Sequence, residues 1–290
     1  FVDVEKDTGN LDASKLEAAI SRKTKAIMPV HFAGHAADMD SINKVAAKHG
    51  LAVIEDAAHA SGSEYKGNKI GTLDTFSTCF SFYATKNLAT GEGGMICSRD
   101  VEKSALMRRL SLHGMSKDAW NRYSEKGSWY YEVTEAGYKD NMTDIQASIG
   151  LHQLAKLDKM NAMREKIALR FNKAFAKHPD LLTLPAHKSY ATKHAWHLYT
   201  LHLKLENLKI TREKFIDALK AEGISSSVHF IPVHLHPYYQ KTFGYKKGGF
   251  PSAEAFYEGE ISLPLYPGMT DKDVHDVIDA VEKIAVFYSR

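Results

Sequence analysis

Short apolar blocks alternate with amphipathic stretches along the first third of the chain. This pattern predicts strands over residues 1–4, 26–32, 51–55, 75–83 and 95–98, and helices over residues 11–21, 38–50 and 101–113. Strands that are apolar throughout and alternate with helices are typical of a mainly parallel sheet with helices on both faces. We therefore expect an α/β fold.

The pattern changes in the second half of the chain. Thr143 and Gln146 form a capping-box sequence, which predicts a long helix to about residue 177. Beyond it the pattern predicts strands over residues 194–203 and 224–231, and helices over residues 211–222 and from Thr270 onward. We expect a large domain over residues 1–160 and a smaller α+β domain over residues 161–290.

Composition narrows the class of protein. The chain has 290 residues, 44% of them hydrophobic, which is enough for a sizeable core. Its net charge of +3 comes without a basic block, which argues against a nucleic-acid partner, and no apolar run is long enough to span a membrane. Cys79 and Cys97 lie in predicted strands, as expected of core thiols in a reducing compartment such as the cytoplasm.

Lys86 directly follows the predicted strand over residues 75–83, and the glycine turn Gly91-Glu92-Gly93-Gly94 comes next. A lysine in this place is held by its surroundings and partly desolvated. Both conditions suit an amine that forms a Schiff base, since the amine must be neutral to be nucleophilic. A lysine on a surface loop explains the stretch equally well.

A second chemical group is delivered to the same edge of the predicted sheet. Asp56 follows the apolar strand over residues 51–55, and open α/β sheets bind ligands at the carboxyl ends of their strands. A Schiff-base lysine and an aspartate that keeps a pyridinium nitrogen protonated are the two groups that pyridoxal 5'-phosphate (PLP) chemistry requires. Ser81 is a natural donor to the cofactor phosphate. Alternatively, Asp56 only caps the turn that follows it.

Two further stretches carry candidate chemistry. Residues 114–139 form a long segment rich in aromatic residues, in which Trp120 and Trp129 are candidates to stack on a base or sugar. Packing of this loop on itself or on a partner subunit explains the aromatic residues as well. His229, His234 and His236 suggest a metal site, but no carboxylate or cysteine set stands at ligand spacing, so this interpretation is the weakest.

Several blocks of the chain resemble one known family. The longest is VIEDAAHASGSEYKGNKIGTLDTFSTCFSFYATKNLATGEGGMI, and four more are IMPVHFAGHAADMD, GYKDNMTDIQASIGLHQL, SSSVHFIPVHLHPYY and ISLPLYPGMTD. They resemble the DegT/DnrJ/EryC1/StrS family of sugar aminotransferases, and together they extend over almost the whole chain. The resemblance implies the PLP-dependent transferase fold type I, which is the aspartate aminotransferase fold.

The resemblance also implies roles for particular residues. Lys86 would hold PLP as a Schiff base, Asp56 would pair with the ring nitrogen, and His59 would lie near the phenolic oxygen. Ser81 would bind the phosphate, and Asn141 would reach the phosphate of the neighbouring subunit in a homodimer with shared active sites. Some relatives carry that asparagine where this chain has Lys139.

The implied reaction transfers the amino group of L-glutamate to a UDP- or dTDP-linked keto sugar. We expect C4 of the sugar to be aminated, for a surface polysaccharide or glycan, with His229 facing the substrate. A related sugar dehydratase, in which histidine replaces the lysine, is disfavoured by Lys86. A catalytically silent sugar-nucleotide-binding or assembly protein remains a further alternative.

Two departures from the family pattern stand out. Relatives begin well upstream of Phe1, and about a quarter of a typical member, including a phosphate-binding loop, precedes the matching stretch. We therefore expect the sequence to be a fragment of a longer protein. Asp140 stands where relatives with the same GYK start usually have tyrosine, which affects the contact between subunits.

Overall fold

The computed structural model describes residues 1–116 and 130–290. Its helices longer than three residues are α1 (Leu16–Ala19), α2 (Met39–His49), α3 (Val101–Leu110), α4 (Asp144–Leu154), α5 (Leu157–Phe175), α6 (Arg212–Ala221), α7 (Pro237–Phe243), α8 (Pro251–Gly259) and α9 (Asp271–Phe287). The strands are β1 (Ala26–Ile27), β2 (Ala52–Asp56), β3 (Glu64–Tyr65), β4 (Asn68–Lys69), β5 (Ser77–Ser81), β6 (Gly94–Cys97), β7 (Leu182–Thr183), β8 (Tyr199–Leu203) and β9 (Glu260–Leu263).

The strands form three sheets in the described part of the chain. The first has the order β1-β2-β5-β6, in which β1, β2 and β5 are parallel and β6 is antiparallel. The second is the small antiparallel hairpin of β3 and β4, and the third has the order β7-β8-β9 and is antiparallel throughout. The predicted α/β architecture with a mainly parallel first sheet is confirmed.

Local sequence signals fix several helix ends. The Asp38 side chain accepts a hydrogen bond from the Ser41 backbone and begins α2, and Gly50 ends that helix in the left-handed conformation. Capping boxes begin α4 at Thr143 and α9 at Thr270, as their sequences predict.

Buried apolar side chains form two clusters. One surrounds the first sheet and includes Ile27, Ile42 and Val53. The other lies between the third sheet and the helices α5, α6 and α9, and includes residues such as Phe171 and Tyr199. Each sheet therefore has its own apolar core. The proposed domain boundary near residue 160 remains a prediction.

Several predicted elements differ from the structure. Residues 1–4 form no strand, and only Val4 makes an isolated bridge, to Leu11. The helix predicted over residues 11–21 is reduced to a short 3-10 turn (Ala13–Lys15) and α1. The long helix predicted to residue 177 is interrupted at Ala155 and Lys156, so that α4 and α5 are separate. Residues 224–231 form no strand, and only Ser227 pairs with Ser262 of β9. Among the described residues, no helix is both long and apolar enough to cross a membrane.

Candidate active site

Asp56 and Ser81 lie at the ends of neighbouring strands of the first sheet. Asp56 stands opposite Cys79 in the register of β2 and β5. Because side chains alternate along a strand, Asp56, Cys79 and Ser81 share one face of the sheet. A cavity of about 290 Å³ opens on this face, and its lining includes all three residues. The structure thus brings two of the predicted site residues together.

The opposite face of β2 is held by a buried network around Glu55. One oxygen of its carboxylate lies 2.9 Å from His31 Nε2, and the other accepts hydrogen bonds from Thr75 and Thr78, each 2.6 Å long. His31 and Glu55 are fully buried. This pair fixes the strand immediately before Asp56. The Asp56 carboxylate itself accepts a hydrogen bond of 2.9 Å from the Ala58 backbone, so it also caps the next turn.

Lys86 lies in the turn after β5, where its backbone N–H donates to the Tyr83 carbonyl over 2.9 Å. The side chain is half-buried, and burial lowers the pKa of its amine below the ordinary value. The negative charge of Asp56 acts in the other direction and partly offsets this shift. The lysine predicted from sequence is therefore desolvated and within electrostatic reach of Asp56, unlike a lysine on an open surface loop.

Asn87, the residue after the lysine, anchors this turn to distant parts of the chain. Its amide nitrogen donates to Asn161 of α5 over 2.8 Å and to the Ala195 carbonyl over 2.7 Å. Because an amide oxygen can only accept, His197 Nδ1 donates the hydrogen bond in its 3.0 Å contact with Asn87 Oδ1. Asn87 and His197 are both buried. Asn87 thereby holds Lys86 in place.

His59 packs against His197 with their ring centroids 4.3 Å apart. Its Nδ1 accepts a hydrogen bond of 3.3 Å from the Ala33 backbone, so Nε2 carries the proton of the neutral ring. Burial, followed by the nearby charges of Lys86 and His229, lowers the pKa of His59 to about 3. His59 is therefore a neutral group beside the lysine that can donate a hydrogen bond through Nε2.

His229 approaches the same place from the opposite half of the chain. It is half-buried, and burial followed by the charge of Lys86 lowers its pKa. Its Nδ1 lies 2.8 Å from Ser262 Oγ. By contrast, His234 is paired with Glu254 at 2.8 Å, so these histidines have separate partners. No group of three or more metal-ligating side chains is found in the described residues.

Asn141 lies in the segment that leads into α4. The Lys139 amine donates a hydrogen bond to its amide oxygen, so the two candidate positions for the family's asparagine are adjacent. This segment lies over the glycine turn after Lys86, because a Cβ added to Gly93 would come within 2.9 Å of Met142. Gly93 also has a φ of +152°, which side chains rarely adopt. Trp120 and Trp129 fall outside the described residues.

Sequence reasoning missed Asn87, His197 and Asn161 as parts of the site. Only Asn87 carried a usable signal, since it directly follows Lys86. The other two are far away in sequence and meet the turn only in the folded chain.

The residues at this edge of the sheet fit pyridoxal 5'-phosphate. A desolvated amine, a carboxylate at the end of a strand, a hydroxyl on the same face and a neutral histidine form the donor set that this cofactor requires. Lys86, Asp56, Ser81 and His59 are the residues that would hold it.

Comparison with known proteins agrees with this arrangement. A sequence profile of the DegT/DnrJ/EryC1/StrS aminotransferase family matches residues 1–282. The spore coat polysaccharide biosynthesis protein SpsC of Bacillus subtilis is 56% identical over 285 residues, which are 98% of this chain and 72% of that protein.

Solved structures give the same result. PseC of Helicobacter pylori, an aminotransferase in pseudoaminic acid biosynthesis, superposes with a TM-score of 0.90 at 31% identity, with 99% of this chain and 74% of that chain covered. Spr1654 of Streptococcus pneumoniae in its PMP form gives a TM-score of 0.90 at 35% identity, covering 99% and 75%. It has also been solved in its PLP form. The predicted family, fold type I, PLP cofactor and aminotransferase activity are confirmed.

Proposed function

The chain belongs to the DegT/DnrJ/EryC1/StrS aminotransferase family, and from that premise we propose that it transfers the amino group of L-glutamate to a nucleotide-linked keto sugar. The observation that carries the proposal is the desolvated Lys86 amine, in the turn after β5, within electrostatic reach of Asp56 at the end of the neighbouring strand β2. The family, the cofactor and the reaction class are established by the comparisons. The nucleotide, the donor and the C4 position of amination are the proposed part.

Lys86 is the residue that moves the proton. Bound pyridoxal phosphate supplies an electron sink for the carbon that loses its proton. The Lys86 amine binds the cofactor and, once displaced by the amino donor, carries this proton between two carbon atoms. Because burial lowers the pKa of Lys86, a larger fraction of its amine is neutral at a given pH.

Asp56 and His59 hold the other side of the site. The Asp56 carboxylate lies at the end of β2, in position to pair with a protonated ring nitrogen and keep it charged. His59 stays neutral and offers its Nε2 proton, which suits the phenolic oxygen of the cofactor. Ser81 offers a hydroxyl to the phosphate.

The assembly that we propose is a homodimer with shared active sites. Helix α4 has no buried residue in the described chain, and Ile145, Leu151 and Leu154 are 75%, 71% and 58% exposed. Apolar side chains exposed along one helix are typical of a surface that is covered by a partner. Asn141 directly precedes α4, so the same contact would bring it to the partner's phosphate site.

The substrate part of the proposal rests on two stretches. His229 is half-buried within electrostatic reach of Lys86, and we propose that it contacts the sugar. Trp120 and Trp129 are proposed to stack on the nucleotide base, and they lie outside the described residues. SpsC acts in spore coat polysaccharide biosynthesis, which supports a product destined for a surface polysaccharide. A nucleotide sugar and glutamate are metabolites of the cytoplasm, where we place the protein.

A substrate panel tests this proposal. UDP- and dTDP-linked 4-keto and 3-keto sugars and free 2-oxo acids are each incubated with the PLP-loaded protein and L-glutamate. We expect a 4-keto sugar nucleotide to be aminated with the highest kcat/KM. Efficient amination of free 2-oxo acids, with no activity on any sugar nucleotide, would contradict the proposal. Trp120→Ala and Trp129→Ala should raise the KM for the sugar nucleotide without changing the KM for glutamate.

A further inference from the structure

A buried relay of three side chains connects β9 to His229. Glu260 and Ser262 stand two positions apart on β9, so their side chains share one face of the strand. Ser262 Oγ donates a hydrogen bond of 2.5 Å to Glu260 Oε1, and the His229 backbone N–H donates one of 2.8 Å to Glu260 Oε2. Ser262 Oγ lies 2.8 Å from His229 Nδ1. Glu260 is fully buried, and Ser262 is 5% exposed.

The backbone keeps these groups in register. Ser227 N–H donates to the Ser262 carbonyl over 3.1 Å, and Ser262 N–H donates to the Ser227 carbonyl over 2.8 Å. This reciprocal pair holds the segment before His229 against β9. The contact between Ser262 and His229 is therefore fixed by the main chain as well as by the side chains.

The single hydroxyl proton of Ser262 couples the other two groups. When Glu260 is ionised, Ser262 donates to Glu260, so His229 must donate through Nδ1, and Nε2 keeps a free lone pair. When Glu260 is protonated, its O–H donates to Ser262, and Ser262 in turn donates to Nδ1. The ring proton then resides on Nε2. Protonation of Glu260 therefore changes the tautomer of His229, whose single ring proton is on Nδ1 when Glu260 is ionised and on Nε2 when Glu260 is protonated.

The surroundings allow both forms near neutral pH. Burial raises the pKa of Glu260 to about 7, while Ser262, the His229 backbone and the charge of Arg212 act in the other direction. His202 stands opposite Glu260 in the register of β8 and β9, and burial lowers its pKa to about 4. It is therefore neutral at pH 7.

At the other end of the relay, burial and the charge of Lys86 lower the pKa of His229. His229 in turn adds to the effect of burial in lowering the pKa of His59 and of His197. The relay thus joins a buried carboxyl group to the electrostatic surroundings of the lysine.

We propose that Glu260 and Ser262 are positioning residues that decide whether His229 offers a donor or an acceptor to the sugar substrate. The proposal rests on the proposed function, because the ligand in question is a keto sugar. A keto oxygen accepts hydrogen bonds and cannot donate one. The form in which Glu260 is protonated and Nε2 carries a proton is therefore the form that binds the keto group.

The relay is tested directly by NMR on the PLP-loaded protein. Ring-labelled histidine is introduced, and the ¹³C shifts of His229, assigned by their loss in His229→Gln, report its tautomer from about pH 5.5 to about 8.5. We expect the Nε2–H form below the pKa of Glu260 and the Nδ1–H form above it.

Two variants separate a relay from a structural role. In Glu260→Gln, the amide donates to Ser262 at every pH, so His229 should stay in the Nε2–H form. In Ser262→Ala, the tautomer should no longer depend on pH. Ser226→Ala is the matched control, because the hydroxyl of Ser226 has no hydrogen-bond partner in the described chain, and it should behave like the wild type.

Activity provides the second readout. For the wild type, kcat/KM of the keto sugar should fall roughly ten-fold per pH unit above the pKa of Glu260, on top of any dependence shared with the glutamate half-reaction. Glu260→Gln should remove this additional fall, and Ser262→Ala should lower kcat/KM for the sugar by roughly ten-fold, the equivalent of one hydrogen bond. The glutamate half-reaction should change little in either variant.

A His229 tautomer that is independent of pH in the wild type, or a change that persists in both variants, would overturn the relay. If the wild type aminates no sugar nucleotide, the proposed function fails, while the NMR result still decides whether the relay exists.

Discussion

The two larger sheets of the molecule differ in how their faces are covered. Every residue of β9 and all but one of β8 are buried, and these strands lie in an apolar cluster closed by helices. In β2 only alternate residues are buried, and the last three residues of β5 are partly exposed. Asp56, Cys79 and Ser81 lie on that less covered face.

The two sheets therefore differ in role, since one mainly stabilises the fold and the other mainly positions the candidate site residues. A sheet buried on both faces contributes the hydrophobic free energy of the fold but leaves no room for a ligand. A sheet with one less covered face places polar groups at a cavity while its other face anchors the strands. Two of the polar residues in the β7-β8-β9 sheet, Glu260 and Ser262, reach His229. The site therefore draws on both sheets in different ways.

Of the substitutions around the β1-β2-β5-β6 sheet, removal of Lys86 should lower turnover the most. In Lys86→Ala, we expect turnover to fall by more than about 10³-fold, because neither the link to the cofactor nor the proton carrier remains. The fold should survive, with a free energy of unfolding within about 1 kcal/mol of the wild type. Steady-state kinetics and urea denaturation measure the two quantities. Lys220→Ala, at an exposed position on α6, is the control, and retained turnover in Lys86→Ala would refute the assignment.

Asp56→Asn should give the next largest effect. The amide keeps the shape of the side chain but not the charge that holds a pyridinium nitrogen protonated. We expect kcat to fall roughly 10²-fold and the affinity for PLP to fall much less. Kinetics and a PLP titration give the two values. Equal losses in both would mean that Asp56 mainly positions the cofactor.

A core substitution next to the β7-β8-β9 sheet should lower stability and leave turnover almost unchanged. Phe215 of α6 is fully buried in the second apolar cluster. Phe215→Ala should lower the free energy of unfolding by about 3–5 kcal/mol, through lost burial and a residual cavity, while kcat of the folded protein changes little. Urea denaturation checks the first part. An unchanged stability would show that this cluster is not the main support of the fold.

Acid should lower the free energy of unfolding of the protein, because the histidines buried near Lys86 must gain protons when the chain unfolds. Burial is the main cause that lowers the pKa of His59 to about 3 and of His197 to about 2, whereas an unfolded histidine titrates near 6.5. Below pH 6.5 the unfolded state therefore binds more protons, and stability falls by about 1.4 kcal/mol per pH unit for each histidine. Denaturation between about pH 6.5 and about 4 measures this slope. His59→Gln should reduce it by one histidine's share, whereas the exposed His152→Gln should leave it unchanged.

Local signals explain what could be predicted from the sequence. The capping-box sequence at Thr143 and the helix start at Thr270 were correct because each depends on residues within one helical turn. Asp38 and Asp40 were both possible caps of α2, and the structure uses Asp38. The strand before Lys86 was found because it is apolar and followed by a glycine turn. Lys86 and Asp56 were proposed for the cofactor because each follows a predicted strand, whereas His59 and Asn141 were proposed only from the resemblance to the family.

Long-range contacts explain what was missed. The apolar period continues through Ala155 and Lys156, and neither residue is a helix breaker, so the break between α4 and α5 could not be predicted. Residues 224–231 are apolar enough for a strand, but only Ser227 finds a partner on β9. Asn87 and His197 form a hydrogen bond although they are 110 positions apart in the sequence, and the residues around them do not predict it.

Covalent trapping of the cofactor shows which lysine binds it, and we propose that this residue is Lys86. The PLP-loaded protein is reduced with borohydride, which makes the bond between lysine and cofactor permanent, and is then digested and sequenced by mass spectrometry. We expect the phosphopyridoxyl mass to lie on Lys86, in the peptide that contains Asn87. A label on a different lysine, with Lys86 unmodified, would contradict the proposal.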